Sequence, residues 1–456
     1  MRFPYCPLLT LMLFLCARNA TAGDSYVLQM WRDPEFQKRF MGTYGVQPEV
    51  EPRVTTAEKA LIDEILGLME RRDGMSRAVR MLQARIQPSH SAVFDFTLAG
   101  FYFQLNRPDH AIRWYRRAVD KFPSFLRAHK NLGMVYVQEE EFEKAIPSLT
   151  KAIELGAGDG LTYGLLGFSY LMTRHYVSAE SAYHRAMMLQ PREEDWQLGL
   201  ARCLFSQRKY ADAVWLCDQM IAKQRNKPEY WLLQANAFLG LEQPMKAAAN
   251  FEYLDLIGKA KADNLYMLGD VYVNERLMDL AADAYLRGMT KDESTDSDTA
   301  FDKARILAVR GAHEEAARIV ETIRQRFGER LNDQARRRML KIEAKIAASR
   351  GVAAEDQIAL LEKIVRLDPL DGESLILLGK QHAAAGNPEK ASSIFEQAAG
   401  IEGFEAKACL RHAQCLVKQG RFDEAIPLLK RVQNIDPRES VARYLDQVEK
   451  VARARH

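Results

Sequence analysis

Cysteine is scarce, with six in 456 residues. That is too few to staple a chain of this length, and it excludes a disulfide scaffold. An excess of one charge is lacking too. Lys and Arg number 64 against 61 Asp and Glu, a net +3, which excludes the strongly basic profile of a dedicated nucleic-acid binder. Past the N-terminal stretch, no apolar run reaches the about 20 residues that a membrane-spanning helix needs. Catalytic motifs are also missing. There is no Gly-x-Ser-x-Gly elbow, no phosphate-binding Gly-Lys-Ser/Thr loop, no Cys-x-x-Cys, and no metal-binding His pair with a following Glu. Gly156, Gly158 and Gly160 follow no strand and read as a tight turn between helices. The chain is therefore expected to be no enzyme and to hold no cofactor or metal. Its 47% hydrophobic content excludes a disordered chain.

The N-terminus reads as an export signal over residues 1–22. Arg2 precedes the apolar run Pro7–Ala17, and Ala20-Thr21-Ala22 offers a small-x-small cleavage site. The competing readings are a short membrane anchor or a buried helix. A lipid-anchoring role for Cys16 is disfavoured by the bulky Phe14-Leu15 before it. Cleavage would remove Arg2 and Arg18 and leave a net +1. It would also leave Cys203, Cys217, Cys409 and Cys415, whose spacings require no disulfide. Cys409 and Cys415 point to different faces of one helix.

What is present is a period. Ala111, Ala145, Ala179, Ala213, Ala247 and Ala281 stand 34 residues apart, and Ala391 and Ala425 resume the spacing after a slip. Twelve residues before each alanine lies a small residue: Ala99, Gly133, Gly167, Ala201, Ala235, Gly269, Gly379 or Ala413. Four after lies Tyr115, Leu149, Tyr183, Cys217, Phe251, Tyr285, Phe395 or Leu429. The pattern resembles the tetratricopeptide repeat, an antiparallel helix pair. The resemblance implies an all-α fold, a right-handed superhelical solenoid of antiparallel helix pairs. The length alone suggests about three domains, and the ruler replaces them with one repeat array.

Full repeats start at Ala92, Leu126, Gly160, Glu194, Pro228, Ala262, Gly372 and Ala406. The expected organisation is a signal peptide (1–22), a non-repeat segment (23–55), a degenerate helical pair (56–91), repeats over 92–438 that are degenerate around 296–370, and a capping helix (439–456). The capping helix presents Val441, Tyr444, Leu445, Val448 and Val451 at helical spacing. Lys291–Asp298 is an acidic loop without the ligand set of a calcium site. The Arg- and Lys-rich stretch 318–350 reads as solvated helix faces rather than a partner patch. The segment 23–55 holds Trp31, Phe36, Phe40, Met41 and Tyr44, and is expected to pack on the first helices or to lie in the groove.

The first helices of such repeats line a concave side. The candidate partner-binding positions in the early repeats are Val93, Phe96, Phe103, Met134 and Val137, then Leu165, Phe168, Leu171 and Met172. Arg202, Phe205, Leu232, Asn236 and Leu239 follow, then Tyr266, Asp270 and Val273. So apolar a surface implies a protein partner, or the chain's own N-terminal segment, in the groove. The Lys/Asn/Arg set that grips chaperone C-terminal carboxylates is absent. Asn131 is present, but Phe96 and Gly100 stand before it and Leu161 and Leu165 after it.

Several strings resemble a narrower group. They are Phe40-Met-Gly-Thr-Tyr-Gly45 with Glu51-Pro52, Asp195-Trp-Gln-Leu-Gly-Leu200, Tyr230-Trp-Leu-Leu-Gln-Ala235 and Leu268-Gly-Asp-Val-Tyr272. They are similar to exported bacterial tetratricopeptide-repeat proteins associated with TonB systems. The resemblance implies a Gram-negative periplasmic scaffold or adaptor for TonB–ExbB–ExbD energy transduction in outer-membrane transport. Its partners would be TonB, ExbB, ExbD or TonB-dependent receptor components, with no nucleic acid and no stable membrane span after cleavage. The rival reading is a scaffold for envelope assembly or for polysaccharide or protein export.

Overall fold

The computed structural model describes residues 49–69, 74–291, 297–350 and 352–455. The expected signal peptide, most of the segment 23–55 and the centre of the acidic loop lie outside the described residues. Twenty-three α-helices and no strand occur among the described residues. The chain divides into two compact units, residues 1–243 and 244–456.

In the first unit, α1 (Thr56–Met69) and α2 (Gly74–Arg85) form a hairpin that buries Ala78 and Leu82. Four helix pairs follow. They are α3 (Ala92–Gln104) with α4 (Pro108–Lys121), α5 (Leu126–Gln138) with α6 (Phe142–Glu154), α7 (Gly160–Met172) with α8 (Tyr176–Leu189), and α9 (Glu194–Ser206) with α10 (Tyr210–Lys223). The unit ends in α11 (Pro228–Gly240). Pro108 and Pro228 open their helices in the first turn, where a missing N–H costs nothing. Asp159 caps α7 by accepting the Thr162 N–H at 2.9 Å, and it also pairs with Lys130 of α5 at 2.6 Å.

The second unit begins with α12 (Pro244–Leu256), α13 (Ala262–Asn274) and α14 (Met278–Lys291). It continues with α15 (Asp298–Val309), α16 (His313–Phe327), α17 (Asp333–Ser349) and α18 (Ala354–Leu367). It ends with α19 (Gly372–Ala384), α20 (Pro388–Ala399), α21 (Glu405–Lys418), α22 (Phe422–Ile435) and α23 (Glu439–Arg455). On α23, Val441 and Val448 are buried, but Val451 is 47% exposed and Ala452 takes its expected place against the core. Much of the basic stretch 318–350 is engaged in ion pairs. Arg318 pairs with Asp279 and Asp283, Arg324 with Glu343, Arg337 with Asp368, and Arg338 with Asp298.

The small-residue ruler acts through close contact. The periodic alanines of both units are all but fully buried. A Cβ on Gly133 would stand 2.6 Å from Leu149 Cγ, and one on Gly379 3.0 Å from Phe395. One on Gly269 would overlap Tyr285. Each glycine thus faces the large residue of its own second helix.

A second regularity was not visible in the spacing. Every first helix from α3 onward that obeys the ruler turns into its partner through one residue of positive φ. In the first unit these are Asn106, Glu140, Arg174, Arg208 and Glu242, with φ of 55–63°. In the second they are Arg276, Gly311, Gly386 and Gly420. The next N–H reaches back to close the helix, as His175 does to the Tyr170 carbonyl at 2.8 Å and Arg421 to Leu416 at 2.9 Å. Gly311 stands at the same repeat position counted from Ser297, so α15 and α16 keep the turn geometry of the regular pairs.

Cys203, Cys217, Cys409 and Cys415 are all free. Cys203 donates its S–H to the Tyr176 carbonyl at 2.9 Å. Burial pushes all four thiols up in pKa, Cys217 to about 12.

Candidate functional site

The candidate positions divide by where they stand in the chain. In α3 and α5, Val93, Phe96, Met134 and Val137 are buried, as is Leu165 in α7. Phe96 packs at ring-centroid distances of 5.0 Å from Phe125 and 5.6 Å from Tyr115. Phe103, Phe168 and Leu171 are half-buried, and Met172 is 40% exposed. Further along the first unit the face opens. Phe205, Leu232, Asn236 and Leu239 are half-buried and Arg202 is exposed.

In the second unit, Tyr266 and Val273 are buried and Asp270 is committed internally. Asp270 accepts from Tyr285 Oη at 2.6 Å and pairs with Lys303 at 2.8 Å. The Lys303 ammonium also stands 5.8 Å from the Tyr266 ring and 5.2 Å from the Tyr285 ring. Lys303 belongs to α15, and its side chain reaches this part of the α13 face. Asp270, read from the sequence as a polar contact for a partner, is a partner of Lys303 instead.

Acidic groups mark the start of α9. Asp195 is half-buried, and desolvation lifts its carboxyl to about 6, with Glu193 and Glu194 adding to the rise and Lys227 and Arg202 opposing it. Glu194 is itself paired. It accepts from Tyr230 Oη at 2.9 Å, bonds Gln224, and lies 3.7 Å from Lys227. The open part of the face therefore offers apolar side chains bounded by a titratable carboxyl and an exposed guanidinium. That arrangement suits binding of an apolar protein segment with a few charges to set its register.

Asn131, the one clamp-like residue, is buried and donates to Tyr115 Oη at 3.2 Å. An open cavity of 550 Å³ between α7 and α8, lined by Tyr163, Tyr170, Val177, Ser181 and Arg185, was not singled out from the sequence. Its residues break no periodic rule and so carry no signal. Among the described residues no cluster of His, Cys, Asp or Glu is placed to hold a metal, and no helix is long and apolar enough to cross a membrane.

Helix pairs on a 34-residue ruler, joined by a left-handed turn and locked by a small residue against a large one, are tetratricopeptide repeats. The chain is an all-α tetratricopeptide-repeat solenoid, a scaffold for protein–protein interaction. Sequence models described as tetratricopeptide repeat match residues 98–160, 170–237 and 382–446. Among curated relatives, mitochondrial import receptor subunit TOM70 of Saccharomyces cerevisiae is 27% identical over 150 residues, covering 31% of this chain and 24% of its own. Hsp70-Hsp90 organizing protein 3 of Arabidopsis thaliana is 21% identical over 164 residues, covering 34% of this chain and 28% of its own. The chain thus spans about a quarter of the length of the curated relatives it matches. Among solved structures, YrrB, titled a TPR protein with an unusual peptide-binding site, has 17% identity and a TM-score of 0.36 over 40% of this chain and 91% of its own. A tetratricopeptide repeat protein from Parabacteroides merdae has 14% identity and a TM-score of 0.38, over 56% of this chain and 98% of its own.

Proposed function

We propose that this chain is a periplasmic adaptor that holds an extended or helical protein segment on the first-helix face of α9 and α11, within a TonB–ExbB–ExbD system serving outer-membrane transport. The observation that carries the binding site is the contrast in burial. The same repeat positions that are buried at Met134 and Val137 are exposed at Arg202 and only half-buried at Phe205, and apolar groups left partly open beside charges favour a protein partner. The names of the curated relatives, an import receptor subunit and an organizing protein, are of the same broad kind. The N-terminal stretch read as an export signal and the Phe40–Gly45 string are the sequence features that support the narrower assignment.

A photo-crosslinking amino acid at Arg202 or Met172, both exposed, tests this in intact cells. The expected adducts contain TonB, ExbB, ExbD or receptor peptides. Adducts with secretion or cell-wall machinery alone would move the chain to the export-scaffold reading. A deletion strain that takes up siderophores and vitamins normally under limitation would also remove the TonB assignment.

A further inference from the structure

Arginine recurs at one position of the second helix. Arg117, Arg185 and Arg287 each stand 25 residues after the start of their repeats at Ala92, Gly160 and Ala262. Two of the three are neutralised within the chain. Arg117 meets the fully buried Asp95 carboxylate, from the fourth residue of its own first helix, at 2.9 Å. Arg287 meets Glu252 at 2.9 Å and also pairs with Asp255, both on α12. Arg185 has neither source of charge. Tyr163 stands at the repeat position of Asp95, and Thr150 and Ile153 stand at those of Glu252 and Asp255. Arg185 makes no hydrogen bond or ion pair among the described residues.

The same repeat also lacks an indole. In the first repeat the Arg117 guanidinium lies over the Trp114 ring, 4.9 Å from its centroid, a cation–π geometry. Ala182 takes the position of Trp114 before Arg185. Where the first repeat gathers a carboxylate, a guanidinium and an indole, the third keeps the guanidinium and leaves space. That space is the open cavity of 550 Å³ between α7 and α8, whose wall includes Tyr163, Leu166, Val177, Ala182 and Arg185. Both replaced positions thus line it. Leu166 and Ala182 are buried and Arg185 is exposed, so apolar groups lie beside an accessible cation. The volume falls within the about 300–1,000 Å³ of ligand pockets, but a free small molecule in such a pocket is usually enclosed over about 70–90% of its surface. Here Val177 is 72% exposed, and Ser178 and Ser181 are exposed as well. So open a cavity suits side chains delivered by a protein segment that makes further contacts outside it.

We propose that the gap between α7 and α8 is a docking site for a protein segment in which an acidic residue stands beside a tryptophan. The carboxylate pairs with Arg185 as Asp95 pairs with Arg117. The indole rests on Leu166 and Ala182, in the place that Trp114 fills in the first repeat. The ion pair sets the register of the segment, and the indole supplies the apolar contact. Tyr163, Leu166 and Tyr170 are the fourth, seventh and eleventh residues of α7, whereas Arg202 and Phe205 are the ninth and twelfth of α9. The cavity therefore uses a different side of the first helix from the α9–α11 face. Its test contains no TonB-system protein, so its outcome is independent of the adaptor assignment.

The probes are two dye-labelled, amide-terminated peptides, Gly-Ser-Asp-Trp-Ser-Gly and Gly-Ser-Asn-Trp-Ser-Gly, titrated with the purified full-length chain and followed by fluorescence anisotropy. At low salt the aspartate peptide should bind about five-fold tighter than the asparagine peptide, the size of a partly solvated ion pair. Arg185→Glu, at an exposed position, should remove that preference and favour a lysine version of the peptide instead. Tyr163→Asp should supply the internal carboxylate of the first repeat and weaken the aspartate peptide by a similar factor. Competition with indole-3-acetate separates a protein segment from a small ligand, and the peptide is expected to bind more tightly. Failure of both peptides to bind, equal binding of the two, a preference that survives Arg185→Glu, or indole-3-acetate binding as tightly as the peptide would each overturn the proposal.

Discussion

Asp195 shows how one residue reports on the candidate face. Desolvation holds its folded pKa at about 6, whereas an unfolded Asp titrates near ~3.9. Between those values the folded chain binds a proton that the unfolded chain does not, so the Asp195 contribution to stability rises as pH falls through that window. Asp195→Asn should therefore melt at a higher temperature than the parent at pH 7. The difference should shrink towards pH 4.5, and paired melting curves at the two pH values check it. A variant that melts equally with the parent at both would mean that Asp195 is not desolvated. None of this was readable from the string Glu193-Glu194-Asp195, because Glu194 is drawn off by Gln224, Tyr230 and Lys227 and leaves Asp195 as the perturbed group.

At the scale of the helix pair, the left-handed turn residue is the informative feature. A non-glycine residue there costs about 1–2 kcal/mol, and the first unit accepts that cost five times over. Arg174 sits at a φ of 63°, its N–H donating to the Leu171 carbonyl at 3.1 Å. Arg174→Gly should stabilise the first unit by about 0.5–1 kcal/mol, since the added freedom of glycine in the unfolded chain cancels part of the gain. Urea denaturation measures the shift. The pairs themselves were legible because Ala145, Ala179 and their equivalents repeat at fixed spacing. The turn was not legible, because Asn106, Glu140 and Arg174 share no residue type. The face was legible only in part. Phe205 and Leu239 are half-buried, but the capture of Asp270 by Lys303 depends on a residue 33 positions away. Periodicity says which residues face the same way and says nothing about what lies on top of them.

For the chain as a whole, repeat energetics are local. Each pair is stabilised mainly by its neighbours, and long arrays depart from all-or-none unfolding. Gly133→Ala and Gly269→Ala each gain helix propensity of up to about 1 kcal/mol, but overpacking against Leu149 or Tyr285 costs about 1–3 kcal/mol. Gly133→Ala should raise hydrogen exchange in the peptides of α5 and α6 and leave α19–α22 unchanged. Gly269→Ala should raise it in α13 and α14. A uniform increase along the chain in either variant would show that unfolding is globally concerted. The free cysteines have a consequence of a different kind. Thiolates, not thiols, attack oxidants and disulfides, and a thiol at about 12 such as Cys217 is ionised to roughly 1 part in 100,000 at neutral pH. Among the described residues no disulfide joins the helices, and Cys217, buried in its protonated form, is a poor candidate to be oxidised into one.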